Sequence, residues 1–201
     1  MDLCCGEGYY SRKLYDDGYV TCGVDAAEEM IRLAERKNHN IKYVCADAGN
    51  LHMFADSYFD LIVCGMGLMD TPNLEQVVEE VARVAKPKAY FLFSIMHPCF
   101  SFEKCGGWET KNGVMEYFKM DRYFEENEAT SNWNIPSTKF VIKTNIYHRT
   151  ISTYYGLLCG TGFVVDRLIE PTYTGNDEYL KKAFAGIRRI PYLLMMRAQK
   201  T

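Results

Sequence analysis

Along the first half of the chain, short apolar runs alternate with stretches whose apolar residues recur at helical spacing. Leu74 to Val84 carries Leu74, Val77, Val78, Val81 and Val84 on one side of a 3.6-residue repeat, which predicts a helix. Met30, Ile31, Leu33 and Ala34 give Ala27 to Lys37 the same reading. Tyr9 to Asp17 is the first predicted helix, and Gly18 suits the left-handed residue that follows a helix. Strand-length runs lie between them: the first residues up to the Gly6–Gly8 pair, then Tyr19 to Val24, Ile41 to Ala46, Tyr58 to Cys64, and Tyr90 to Met96. Pro87 is read as closing the helix before the last of these. The Tyr58–Cys64 run is nearly all apolar after Asp60, as expected of a strand buried on both faces. Strands and helices in alternation predict an α/β fold with a doubly wound, mostly parallel sheet.

After His97 the pattern changes. The stretch from Pro98 to His148 shows no strand–helix–strand unit. It is dense in aromatics: Phe100, Phe102, Trp108, Tyr117, Phe118, Tyr123, Phe124, Trp133, Phe140 and Tyr147. Lys139 to Tyr147 alternates like a strand, and Val114 to Tyr123 is expected to pair with it antiparallel. Regular structure resumes with a helix from His148 to Leu158, a turn and strand from Gly160 to Glu170, and a final strand from Ile190 to Ala198. The chain therefore divides into 1–96, an insertion over 97–148, and a C-terminal part over 149–201.

The 201 residues suit one domain with a full core, and 48% hydrophobic content places the chain among globular proteins. A formal charge of −3 with no polybasic run disfavours a large nucleic-acid footprint. The longest apolar run, Ala89 to Met96, is of strand length, so no membrane span is expected. Met1 leads directly into a strand without a charged stretch, which reads as no secretory leader. Of eight cysteines, Cys4, Cys5, Cys22, Cys45 and Cys64 lie in or beside predicted buried strands, where cysteine acts as a small hydrophobe. There is no Cys-x-x-Cys pair, which argues against a zinc site, and the expected compartment is a reducing cytoplasm.

The chemistry concentrates in Met1-Asp2-Leu3-Cys4-Cys5-Gly6-Glu7-Gly8. A strand ends there in two glycines and a helix follows at once. Glycine permits a sharp turn and a close ligand approach, and the helix start offers free N–H groups to a nucleotide-derived ligand. Asp25, seventeen positions after Gly8, falls where a second strand should end, and a carboxylate there typically takes ribose hydroxyls.

Asp2 to Gly8 resembles the first motif of class I S-adenosylmethionine-dependent methyltransferases, particularly the small-molecule enzymes related to ubiquinone and menaquinone biosynthesis. The resemblance continues through Gly23 to Met30, Cys45 to Ala48, and Phe59 to Val63, and departs at Cys4, where the family usually has glycine. It implies a single methyltransferase domain with a seven-stranded sheet in the order 3-2-1-4-5-7-6, strand seven antiparallel, and S-adenosylmethionine as cofactor. Gly6 and Gly8 would lie against its methionine part, with Cys4 in the same turn. Asp25 would hold the ribose, and Asp47 with the Ala48 N–H would meet the adenine, flanked by Ala26, Met30 and Leu51. Cys64 and Gly65 would face the amino-acid end, helped by Asp2, and Arg12 would pair with the cofactor carboxylate. The family ordinarily carries tens of residues before this strand, often covering the cofactor. Their absence ahead of Met1 leaves a longer natural chain or a more open site as alternatives.

A nicotinamide-dependent oxidoreductase is the rival reading; it expects a third small residue three positions after Gly8, where Ser11 stands behind the pair Tyr9-Tyr10, and its simplest fingerprint has no counterpart of Asp47, so it is disfavoured. The run Cys64 to Asp70 lacks the Asn/Asp-Pro-Pro-aromatic motif of base-amine methyltransferases, and Pro98-Cys99 falls after strand five rather than four. His97, at the carboxyl end of strand five, and His148 are the acid–base candidates, with a structural or substrate-positioning role as the alternative for each. The aromatic insertion is read as the acceptor-specific part; packing onto the sheet or a homodimer contact is its other use. The expected partner is a small-molecule methyl acceptor. A silent methyltransferase-fold binding protein and an RNA-modifying enzyme are the alternatives.

Overall fold

The computed structural model describes residues 1–100, 105–134, 141–176, 186 and 188–201. In chain order, the first half runs β1 (Asp2–Leu3), α1 (Tyr9–Asp16), β2 (Cys22–Asp25), α2 (Glu28–Lys37), β3 (Lys42–Cys45) and β4 (Phe59–Gly65). A short 3-10 turn (Leu68–Asp70), α3 (Leu74–Val84) and β5 (Ala85–Met96) follow. Then come β6 (Gly106–Lys111), β7 (Val114–Met120), β8 (Glu128–Asn134) and β9 (Val141–Tyr147). The chain ends with α4 (Ile151–Gly160), β10 (Phe163–Ile169) and β11 (Leu193–Lys200).

Seven strands make one sheet in the order β10-β11-β5-β4-β1-β2-β3, with β11 antiparallel to both its neighbours. This is the expected order. Helix α3 shows why the sequence folds this way. The Asn73 side chain caps its start, and Leu74, Val77, Val78, Val81 and Val84 are all buried. Each such side chain contributes roughly 1.5–3 kcal/mol when fully buried. The core continues through Leu3, Val24, Ile62, Phe91, Phe93, Leu158 and Leu194. Parallel pairing of β1 with β2 and β4, and of β4 with β5, brings the carboxyl ends of these strands to one edge of the sheet. Among the described residues no helix is long and apolar enough to cross a membrane.

Several expected boundaries move. Tyr19 and Val20 lie outside β2 with exposed side chains, so their apolar character does not mark a strand. Helix α3 ends because Ala85 turns extended, and Pro87 lies inside β5 rather than closing the helix. The β4–β5 register shifts between Phe59 and Leu61, and Lys88 takes φ 67, so the proline occupies an irregular stretch where a missing N–H is tolerated. Helix α4 starts at Ile151 instead of His148, because the Thr150 hydroxyl caps it while the His148 N–H donates to Asn127 O.

The insertion differs most. Val114–Tyr123 does not pair with Lys139–Tyr147. Instead β6 pairs with β7, and β8 with β9, as two antiparallel hairpins. Lys111 faces Val114 across a two-residue turn, Asn112-Gly113, with φ of 51 and 77. Both central residues in the left-handed region fit the tight turn that matches strand twist, which favours the local partner over a distant one. Phe102, Lys139 and Phe140 lie outside the described residues.

Candidate functional site

The turn after β1 takes left-handed conformations at Cys4 (φ 55), Gly6 (φ 53) and Gly8 (φ 79). The Cys5 N–H donates to Val24 O at 2.9 Å, which ties the turn to β2. Asp25, at the end of β2, completes the tie: one carboxylate oxygen accepts from the Gly6 N–H at 2.8 Å, the other from the Ala27 N–H at 2.9 Å. Each oxygen keeps lone-pair capacity beyond these bonds. Beyond its two chain neighbours, nothing lies within 4 Å of where a Gly6 Cβ would stand, so the turn opens onto free space. Gly8 is required for another reason. A Cβ there would sit 2.5 Å from the Tyr43 hydroxyl.

Asp2 is 1% exposed. One of its oxygens accepts from the Ser11 hydroxyl at 2.6 Å; the other is buried with no hydrogen-bond partner among the described residues. Burial pushes its carboxyl up to about 6. Cys64 is fully buried at the end of β4, where the neighbouring Cys4 thiol and burial push its thiol well above the ordinary range. Gly65 follows it, and the Tyr10 ring rests against Gly65. Asp2, Cys4, Gly6, Gly8, Asp25, Cys64 and Gly65 thus surround the ends of three adjacent strands.

The remaining expected residues are arranged less uniformly. Ala46 N–H donates to Asp25 O, which holds the end of β3 beside β2, where Ala26 is exposed and Met30 half-buried. Asp47 is exposed, and one of its oxygens accepts from the Gly49 N–H at 2.7 Å, leaving the other free of that turn. Ala48 is buried next to it. Leu51 is fully buried in the main core, its N–H donating to Glu80 and its carbonyl accepting from Arg83, so it backs this region rather than fronting it. The Arg12 guanidinium donates to Glu7 O at 2.6 Å and lies 3.8 Å from the Glu7 carboxylate, curled over the glycine turn.

Residues 1–93 match the family described as "Methyltransferase domain". A demethylmenaquinone methyltransferase of Leptospira interrogans is 35% identical over 101 residues, 46% of this chain and 40% of that protein. One from Staphylococcus saprophyticus is 37% identical over 94 residues, 43% and 40% of the two chains. The chain thus spans less than half the length of these curated relatives. Solved structures match more broadly: a putative S-adenosylmethionine-dependent methyltransferase from Listeria monocytogenes has a TM-score of 0.80 at 25% identity, covering 100% of this chain and 89% of that one. An S-adenosylmethionine-dependent methyltransferase from Mesorhizobium loti gives 0.80 at 24%, covering 99% and 89%.

Residues 1–93 thus match a methyltransferase domain, and the whole chain shares the fold of solved S-adenosylmethionine-dependent methyltransferases. The residues of the turn suit that cofactor: a carboxylate at the end of β2, open space before Gly6 and an orphaned buried oxygen on Asp2 are what an adenosine and a charged amino-acid tail require.

On the other side of the glycine turn, beyond β4, the structure brings the two expected histidines to one cavity. His97 and His148 both line a cavity of about 20 Å³, room for about one water, with Met69, Met96, Arg149 and Tyr154 among its other walls. The Cys99 N–H donates to His97 Nδ1 at 3.1 Å, so Nε2 carries the proton and donates to Glu170 at 2.8 Å. His148 Nε2 donates to the Tyr123 carbonyl at 2.8 Å. Tyr123 in turn accepts at its hydroxyl from the Ile151 N–H, and Glu126 accepts from the Thr150 N–H, which fastens residues 121–127 to the start of α4.

Four residues at this site were not singled out by sequence reasoning: Tyr10, Asp70, Arg149 and Glu170. Arg149 is 8% exposed and donates to the carbonyls of Leu68, Thr71 and Pro72, pinning the segment after β4 to α4. Asp70 lies within that segment with one buried oxygen unpartnered among the described residues, and burial pushes its carboxyl up to about 7. The adjacency of Arg149 to His148 was the available signal for the first. Glu170, at the end of β10, had none, since its partner is distant in sequence.

Proposed function

We propose that this chain transfers the methyl group of S-adenosylmethionine to a small, apolar or aromatic acceptor. The reading rests on one observation: a left-handed glycine turn fastened through Asp25 to the end of the second strand, beside a buried Asp2 oxygen without a partner. When bound, S-adenosylmethionine supplies a methyl carbon activated by its sulfonium leaving group. Asp25, its oxygens oriented by the Gly6 and Ala27 N–H groups, holds the ribose hydroxyls. Asp47 and the Ala48 N–H meet the adenine edge, with Ala26 and Met30 at its faces and Leu51 behind. Gly6, Gly8 and Cys4 shape the turn against the methionine part. Cys64, Gly65 and Asp2 serve the amino-acid end, and Arg12 reaches the carboxylate by releasing Glu7.

Displacement at an activated carbon asks mainly for alignment and exclusion of water. His97 has both ring nitrogens engaged by the protein, so its part, like that of His148, is to shape the acceptor pocket; neither is assigned the role of base. The walls around them, Met69, Met96, Ile146 and Tyr147, are apolar and aromatic, and a ring acceptor would have to widen a cavity that now has room for about one water. The demethylmenaquinone methyltransferases support the same acceptor class, though the matched stretch is confined to under half of each relative.

The test is transfer of a radiolabelled methyl group to 1,4-dihydroxynaphthalene, to a cell-extract pool of small molecules, and to total RNA. Label in an organic-extractable product is the expected result. Label in RNA, or cofactor binding with no transfer to any pool, would overturn the proposal.

A further inference from the structure

A ring compound enters the cavity between His97 and His148 only if one of its walls gives way, and the walls are not held equally. Met69 belongs to the segment after β4, where the Leu68, Thr71 and Pro72 carbonyls all accept from the buried Arg149 guanidinium. The wall from Tyr147 to Arg149 is fastened on both sides. The His148 N–H donates to Asn127 O and its ring to Tyr123 O, while the Thr150 and Ile151 N–H groups donate to Glu126 and to the Tyr123 hydroxyl.

The third wall is the turn from His97 to Phe100, with Pro98 facing the cavity. Its backbone is tied just ahead of β11, where the His97 N–H donates to Tyr192 O at 2.8 Å. Among the described residues, its other ties are the Cys99 thiol against the Tyr123 hydroxyl, the Phe100 ring against Phe118 of the β6–β7 hairpin, and the His97 imidazole. The imidazole does most to shape it. Nδ1 accepts from the Cys99 N–H at 3.1 Å, the ring lies 4.9 Å from the Phe100 ring, and Nε2 donates to Glu170 at 2.8 Å. The His97 side chain is 2% exposed, but that of Glu170 is 49% exposed. An acceptor that is already wet exchanges its partner for water at little cost, whereas three carbonyls that lose a buried guanidinium are stranded. The His97 turn is the wall that yields.

We propose that the His97–Glu170 hydrogen bond is the latch of this cavity, with Glu170 a positioning residue that acts through His97. Release of the bond frees the Pro98–Phe100 turn to move outward and makes room for a ring acceptor. The inference deepens the acceptor reading and rests on it for the identity of the occupant. The Cys99 N–H explains why the latch controls the turn and not the imidazole alone: a ring that leaves Glu170 takes Nδ1, and with it that backbone bond, out of place. With the latch closed, the apparent affinity for an acceptor is reduced by the fraction of molecules that are open, and removing the latch removes that reduction.

The experiment compares wild type, Glu170→Ala and Glu170→Gln, the last of which keeps an oxygen that accepts from Nε2. Iodoacetamide labelling with peptide mass mapping reads opening at Cys99, which lies in the turn and is half-buried. Exposed Cys45 serves as the reference for the reagent, and buried Cys5 and Cys64 report general unfolding. Cys99 should label about two- to tenfold faster in Glu170→Ala than in wild type, because labelling follows the open fraction when closing outpaces alkylation. Glu170→Gln should label like wild type, and Cys5 and Cys64 should not change in either variant. Methyl transfer to 1,4-dihydroxynaphthalene by Glu170→Ala should show KM lowered by a similar factor with kcat unchanged, an effect that loss of a merely structural bond does not produce. Unchanged labelling at Cys99, equal acceleration at Cys5 and Cys64, or a KM that stays the same or rises overturns the latch. If no form transfers methyl to this compound, a naphthalene-type acceptor falls, and the Cys99 labelling alone decides whether the latch stands.

Discussion

Replacing Asp2 by Asn separates what this residue costs the fold from what it gives the site. Asp2 is buried and has one unpartnered oxygen, so ionising it in the folded chain is opposed by desolvation. Its carboxyl rises from 3.8 to about 6 despite the opposing Ser11 hydrogen bond. The folded chain therefore keeps this proton to higher pH than the unfolded chain does. The stabilisation is fully present below pH 4 and is lost as pH rises through 6. At 1.36 kcal/mol per unit, the loss is about 3 kcal/mol as an upper bound. Asn has nearly the same shape, can still accept from Ser11, and carries no charge at any pH. Urea unfolding of both forms from pH 4 to pH 8 should give similar stabilities at pH 4 and an increasing advantage for Asp2→Asn, levelling off above pH 7. For a chain of this length the gap at pH 8 corresponds to at most roughly 6–12 °C in melting temperature. A difference that stays constant across that range would refute the burial argument.

Gly8→Ala should cost about 1–2 kcal/mol in chemical unfolding, since it forces a Cβ into a left-handed residue and against the Tyr43 hydroxyl. Arg149→Met leaves the Leu68, Thr71 and Pro72 carbonyls without their donor and should lower stability by roughly 2–4 kcal/mol, read by thermal unfolding. Iodoacetamide labelling followed by peptide mass mapping at pH 7 should modify the exposed Cys45 and Cys159 well before Cys99, whose thiol is pushed up by burial.

The parallel half of the fold was legible because each of its elements has its own period. Helix α3 has the predicted bounds because five apolar residues at helical spacing need one buried face, and the sheet supplies it. The end of β2 at Asp25 was readable for a similar reason: a carboxylate there has two backbone N–H groups to accept. The insertion was less legible because its strands have exposed faces and the alternation alone does not choose a partner. The Asn112-Gly113 turn does choose one, and it carried more information than the apolar pattern around it. On the acceptor side, His97 and Glu170 meet through the antiparallel addition of β11 and β10 beyond β5, a contact between residues 73 positions apart that no local pattern encodes. Tyr10 followed the glycine turn in plain view, but an aromatic on a first helical turn reads as surface until the end of β4 is placed opposite it.

The central claim is that the crevice between the Cys4–Gly8 turn and Asp25 binds the methyl donor. Calorimetric titration of S-adenosylhomocysteine into wild type and Asp25→Ala tests it most directly. The account predicts saturable one-to-one binding to wild type, weakened roughly tenfold to a hundredfold in the variant through loss of charge-assisted hydrogen bonds to the ribose. Binding of equal strength to both proteins would contradict it.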